Sequence, residues 1–149
     1  MHPFDLRAAL LAKHAQHVVL IHFPIALCVA GVGFDVAAQW TRRVALAAVA
    51  YYNLAVAAAA TLPAVATGLL AWQLQLEGQK LKGVLLLHLL LGGASTALIW
   101  RMWWLHFRAR RGPQQPLPAW RLPVELLAVV LIAATGHLGG FLSGVNVSG

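Results

Sequence analysis

Charge is scarce in this chain. Of its 149 residues only 4 are acidic and 11 are Lys or Arg, so charged side chains make up 10% of the sequence against 60% hydrophobic. A soluble domain of this length does not carry so much apolar surface, and apolar runs near twenty residues are long enough to cross a bilayer. Cysteine is scarcer still. Cys28 stands alone, which excludes an intrachain disulfide, a covalent Cys-x-x-Cys-His haem and a cysteine-ligated iron–sulfur cluster within one chain. Cys28 itself reads as a small buried packing residue.

The excess of basic residues does not point to nucleic acid. Most of it falls in short connections between apolar runs, beside Trp40, Trp100, Trp103, Trp104 and Trp120. That is the positive-inside pattern with an interfacial aromatic belt. No basic, aromatic-interleaved soluble face exists, so no nucleic-acid partner is expected.

The chain reads as one transmembrane domain, an all-α up-and-down four-helix bundle with spans over about 17–38, 44–72, 83–104 and 123–142. Residues 1–16 read as a short amphipathic segment on the membrane surface, too polar for a signal-peptide core. His2 and His14 fall in it as solvated histidines. Pro24 removes an amide that would bond the carbonyl of Leu20, which predicts a kink beside His22. Alanines in the second span permit close helix approach, and Pro63 and Gly68 predict a bend. Asp35 is expected to pair with Arg42 or Arg43. Residues 108–118 are basic and proline-rich and read as a loop. Pro123 and Glu125 suit the first turn of the last span. Gly136, Gly140 and Gly144 form a small-residue face for packing within the bundle, which could alternatively join two copies. Asn146-Val-Ser148 matches a glycosylation pattern that carries little weight.

Arg42, Arg43, Arg101, Arg108, Arg110, Arg111 and Arg121 collect on one side, against Arg7, Lys13, Lys80 and Lys82 on the other. The positive-inside rule then places both termini outside the cytoplasm, on the periplasmic side of a bacterial inner membrane. Within this topology four histidines reach one leaflet. At 1.5 Å per residue, His22 lies about 7.5 Å below His17, His88 about 9 Å below Lys82 and His137 about 10 Å below Gly144. His106 is left alone on the cytoplasmic side, as a charged interfacial histidine.

The stretch His17-Val-Val-Leu-Ile-His22-Phe-Pro-Ile-Ala-Leu resembles the opening motif of the DUF2231 family of small bacterial membrane proteins, approximately His-Pro-x-x-Val-His-Phe-Pro-Ile-Ala-Leu. The resemblance continues through Ala66-Thr-Gly-Leu-Leu-Ala-Trp72, His88, His137-Leu-Gly-Gly140 and Gly144-Val-Asn-Val. Val18 replaces the usual proline, Ala71 replaces a common aspartate, and Phe141-Leu-Ser-Gly144 is shorter than the tyrosine-containing version. The resemblance implies a four-span protein whose relatives are fused to, or neighbour, Rieske-type redox domains.

Imidazoles inside hydrocarbon mark a site. Haem b suits four of them best, since two neutral imidazoles from facing helices can ligate iron axially. His22 and His88 form the first axial pair, with His137 beside them or paired with His17 on a second haem. Gly92, Gly93, Gly136 and Gly140 leave room for the macrocycle. Lys80, Lys82, Lys13 or Arg7 would meet its propionates. The function expected is electron transfer, rather than stand-alone enzyme activity, with a periplasmic redox partner or a quinone. The chain would act alone, as a homodimer, or as a subunit of a respiratory-type complex. The alternatives are an imidazole-ligated zinc or copper site and a cofactor-free membrane anchor or assembly subunit.

Overall fold

A computed structural model describes residues 13–112 and 117–144, and the described residues contain helices and connections only. Helix α1 spans Lys13–Leu20, α2 His22–Thr41, α3 Val44–Gln75, α4 Gly83–Arg111 and α5 Arg121–Leu142. Four segments are long and apolar enough to cross a membrane: Gln16–Thr41, Val44–Leu74, Gly83–Arg111 and Arg121–Leu142. The outermost amphipathic stretch expected over residues 1–12 and the Asn146–Ser148 pattern lie outside the described residues.

The helix is interrupted at the place where Pro24 predicts a kink. α1 ends at Leu20, whose carbonyl would have met the missing amide of Pro24, and a turn at Ile21 leads into α2. α2 ends where Arg42 adopts the left-handed conformation, with φ 55°, a common way to close a helix. The third and fourth spans start or end beyond their expected limits. α4 continues through Arg108 to Arg111 rather than stopping near residue 104. Its last turn is held by cations over rings: Arg110 lies 4.5 Å from the Tyr51 ring centroid and Arg111 4.3 Å from that of Phe107. Such contacts let arginines remain helical at the interface while their heads stay wet.

The spans form a ring in chain order, with α2 against α3, α3 against α4, α4 against α5 and α5 closing onto α2. α1 lies along α3. Small residues set the closest contact: Ala50, Ala57, Ala58 and Ala64 of α3 are buried. On the facing side a Cβ at Gly31 would stand 3.0 Å from Cγ of Leu54. The core is a single apolar layer of Cys28 and Val32 from α2, Leu54, Ala57 and Ala58 from α3, Ile99 and Met102 from α4, and Ala128 and Ile132 from α5. Outside it, Val56, Leu62, Leu90, Leu126 and Val130 are exposed, as expected of side chains that face hydrocarbon.

The glycine face behaves differently from the expectation. A Cβ at Gly136 or Gly144 would meet nothing within 4 Å, whereas one at Gly139 would stand 3.2 Å from Cε1 of His88. Gly139, one helical turn beyond Thr135, is therefore the small residue that admits α4.

Candidate functional site

The four histidines of the terminal-side leaflet divide into two that join helices and two at the surface. His17 on α1 donates from Nδ1 to the carbonyl of Ala64 at 2.9 Å, with Oγ1 of Thr67 at 3.4 Å. It fills the space above Gly68, where a Cβ would stand only 2.8 Å from its Cε1. His88 on α4 donates from Nδ1 to the carbonyl of Thr135 on α5 at 3.1 Å. Thr135 sits in a small polar set, since its own hydroxyl donates to Leu131 O and lies 3.4 Å from Oγ of Ser95.

His22 is exposed and donates from Nδ1 to Val18 O at 2.6 Å, across the break between α1 and α2. His137 is exposed, and its ring meets Phe141 edge-on at 5.0 Å. Because His137 follows Thr135 by two residues, about 200° around α5, it does not share the face that receives His88.

Three of these rings thus have the same arrangement. A carbonyl oxygen only accepts, so Nδ1 carries the hydrogen in His17, His22 and His88, and Nε2 of the neutral ring keeps its lone pair. Metal-binding histidines are commonly oriented by such a bond to the other ring nitrogen. Nearby glycines leave open surface: a Cβ at Gly93 or Gly136 would meet nothing within 4 Å, and one at Gly92 only Thr135 Cγ2 at 3.7 Å. Gly140 is half-buried, and Lys80 and Lys82 are exposed in the connection before α4.

A second group lies at the opposite end, and sequence reasoning misses it. Asp35, His106, Arg121 and Glu125 come from α2, α4 and α5 and are 1, 4, 8 and 1% exposed. Arg121 donates from Nε to Oδ2 of Asp35 at 2.9 Å. Nε2 of His106 lies 2.9 Å from Oε1 of Glu125. Oε2 of Glu125 is buried with no hydrogen-bond partner.

Three expectations are corrected here. Asp35 pairs with Arg121 rather than Arg42 or Arg43, because α2 ends at Thr41 and both of those arginines project into solvent beyond it. His106 is a buried partner of a carboxylate, not an interfacial charge. Glu125 turns inward to that histidine instead of serving the first turn of α5, which holds no acidic residue. The depth count that groups the histidines would have found this set too. Asp35 lies six residues before the end of α2, His106 five before the end of α4 and Glu125 four after the start of α5. At 1.5 Å per residue these are insets of roughly 6–9 Å on the same side.

Among the described residues, the one set of three or more His, Cys, Asp or Glu side chains with ligand atoms mutually within 4.8 Å is Asp35, His106 and Glu125. Two of those groups are already spent on each other and the third on Arg121, so the set has the chemistry of paired charges rather than of an open coordination shell. The histidines of the other leaflet are not gathered that closely within the described chain.

The family described as "Predicted membrane protein (DUF2231)" matches residues 13–147. No curated protein and no solved structure matches this chain.

Proposed function

The chain belongs to the DUF2231 family of predicted membrane proteins, and from that premise we propose that it is a membrane-embedded electron-transfer protein or subunit that binds haem b through histidine. The observation that supports this reading most is the shared orientation of two imidazoles. His22 and His88 each give Nδ1–H to a helix carbonyl, which leaves Nε2 as the donor atom for a metal.

The donor set also fits. Among the described residues the spans contain two carboxylates, Asp35 and Glu125, and both are at the far end. A site of imidazoles without carboxylates suits haem iron and disfavours a hydrolytic metal centre. His22 and His88 would hold the iron, with His137 and His17 beside them or serving a second haem. The haem would supply a one-electron couple. The open surface at Gly92, Gly93 and Gly136 would receive the flat ring, and Lys80 and Lys82 would meet its carboxylates. Because His22 and His137 are exposed, a redox partner, a quinone or a second copy can approach them directly.

The arginine excess at the ends of α2 and α4 and the start of α5 supports an orientation with that end in the cytoplasm and both termini in the periplasm of a bacterial inner membrane. The test of function is a reduced-minus-oxidised spectrum of protein purified after expression with haem available. Bands of b type are expected, and their absence overturns the reading. Stoichiometric zinc or copper by elemental analysis would establish the imidazole–metal alternative instead.

A second reading rests on the same bonds. His17 fastens α1 to α3 and His88 fastens α4 to α5, so both could be helix clasps in a cofactor-free anchor or assembly subunit. Under that reading His88→Ala lowers stability while spectrum and metal content stay unchanged.

A further inference from the structure

The group at the arginine-rich end combines burial with an uneven balance of charge. Asp35 and Arg121 form a neutral pair joined by a 2.9 Å hydrogen bond. That leaves His106 and Glu125, also 2.9 Å apart and both more than nine-tenths buried. With a neutral imidazole and an ionised Glu125 the four side chains sum to one negative charge in the interior of an apolar bundle. One added proton, on either partner, makes the sum zero.

The surroundings do little to offset that negative charge. Oε2 of Glu125 has no hydrogen-bond partner, so the carboxylate is served through one oxygen alone, by His106. The titratable and charged groups around it are few. α2 offers Asp35, spent on Arg121, and the thiol of buried Cys28. α4 offers His106 itself. α5 offers Arg121. At this level α3 buries Ala50 and Leu54, and its Tyr51 lies under the Arg110 guanidinium at 4.5 Å. A buried charge without a counter-charge is costly and is relieved by neutralisation. The route to water is short, because Glu125 is one turn, about 6 Å, from the first residue of α5.

We propose that the His106–Glu125 pair is a proton-binding site within the membrane, holding one exchangeable proton that makes the Asp35–Arg121–His106–Glu125 group electrically neutral. The proton bridges Nε2 and Oε1 and is carried by the pair as a unit. The site stands at the other end of the bundle from the imidazoles of the haem reading and does not depend on it.

The sequence makes the test clean, because Glu77 and Glu125 are its only glutamates. The full chain carrying Glu77→Gln, an exposed position, is prepared in lipid nanodiscs with 13C-labelled glutamate and 15N-labelled histidine. At about pH 8 an ordinary imidazole or carboxyl has lost its extra proton. The expected result is one remaining proton-bearing group: either a protonated Glu125 carboxyl in the infrared spectrum or a single doubly protonated imidazole by nuclear magnetic resonance. The result that overturns the proposal is an ionised Glu125 with every imidazole singly protonated at that pH. A stoichiometric divalent metal, removable by chelator and accompanied by the same deprotonated spectra, overturns it as well. The Glu125→Gln protein serves as the comparison and should lack the signal. If it does not fold, the signal in the Glu77→Gln protein stands without it.

Discussion

Nε of Arg121 and Oδ2 of Asp35 meet at 2.9 Å across 86 positions of sequence. This bond ties the first residue of the last span to the first span and closes the ring of helices. Both partners are buried, so removing one strands the other charge. Asp35→Asn or Arg121→Leu should each lower stability by about 3–5 kcal/mol. The double replacement Asp35→Asn with Arg121→Leu should recover part of that loss, because neither charge is then left stranded. Thermal unfolding of the four proteins in one detergent, read as a double-mutant cycle, checks the coupling.

Two glycines on different helices predict opposite outcomes. Gly68→Ala sets a Cβ 2.8 Å from Cε1 of His17, which must push the ring off the Ala64 carbonyl at a cost of about 1–3 kcal/mol. Gly136→Ala places its Cβ in open space and should be neutral, or stabilising by up to about 1 kcal/mol through helix propensity. Midpoints of thermal unfolding separate the two.

The haem reading predicts a division between histidines. His88→Ala should abolish the b-type spectrum, and His22→Ala should abolish or shift it. His106→Gln should leave the bands in place while lowering stability by about 3–5 kcal/mol, since it breaks a buried pair. Loss of the bands with His106→Gln and their survival with His88→Ala would place the ligands at the wrong end.

Orientation is open to a chemical test because Cys28 is the only cysteine and is buried. In intact cells a membrane-impermeant maleimide should label Lys80→Cys, in the connection between α3 and α4. It should label Arg111→Cys, at the end of α4, only after lysis. The reverse pattern inverts the topology.

The four spans are legible in the sequence because length and hydropathy decide them, and Pro24 announces its break because a missing amide acts locally. The partner of Asp35 is not legible in the same way. Arg42 and Arg43 are its neighbours along the chain, but α2 stops before they can turn back. Arg121 reaches it because antiparallel packing brings the start of α5 to the end of α2, and that is a property of the assembled bundle. His106 and Glu125 mislead for a related reason, since each lies near a helix end where water is the default neighbour. The histidines at the other end are found by depth, but depth says nothing of azimuth. His88 and His137 share a level, and still one turns to Thr135 while the other is exposed.

Between the two polar groups lies the layer of Cys28, Val32, Leu54, Ala58, Ile99, Met102, Ala128 and Ile132. Ten residues of α5, about 15 Å of helix, separate Thr135 from Glu125. This layer is an apolar septum. The one ionisable side chain in that layer is the Cys28 thiol, so the layer sets the proton site at the arginine-rich end apart from the imidazoles at the other. Under the proposed orientation and function the two ends would face different compartments, and an electron or an electric field would be the link between them.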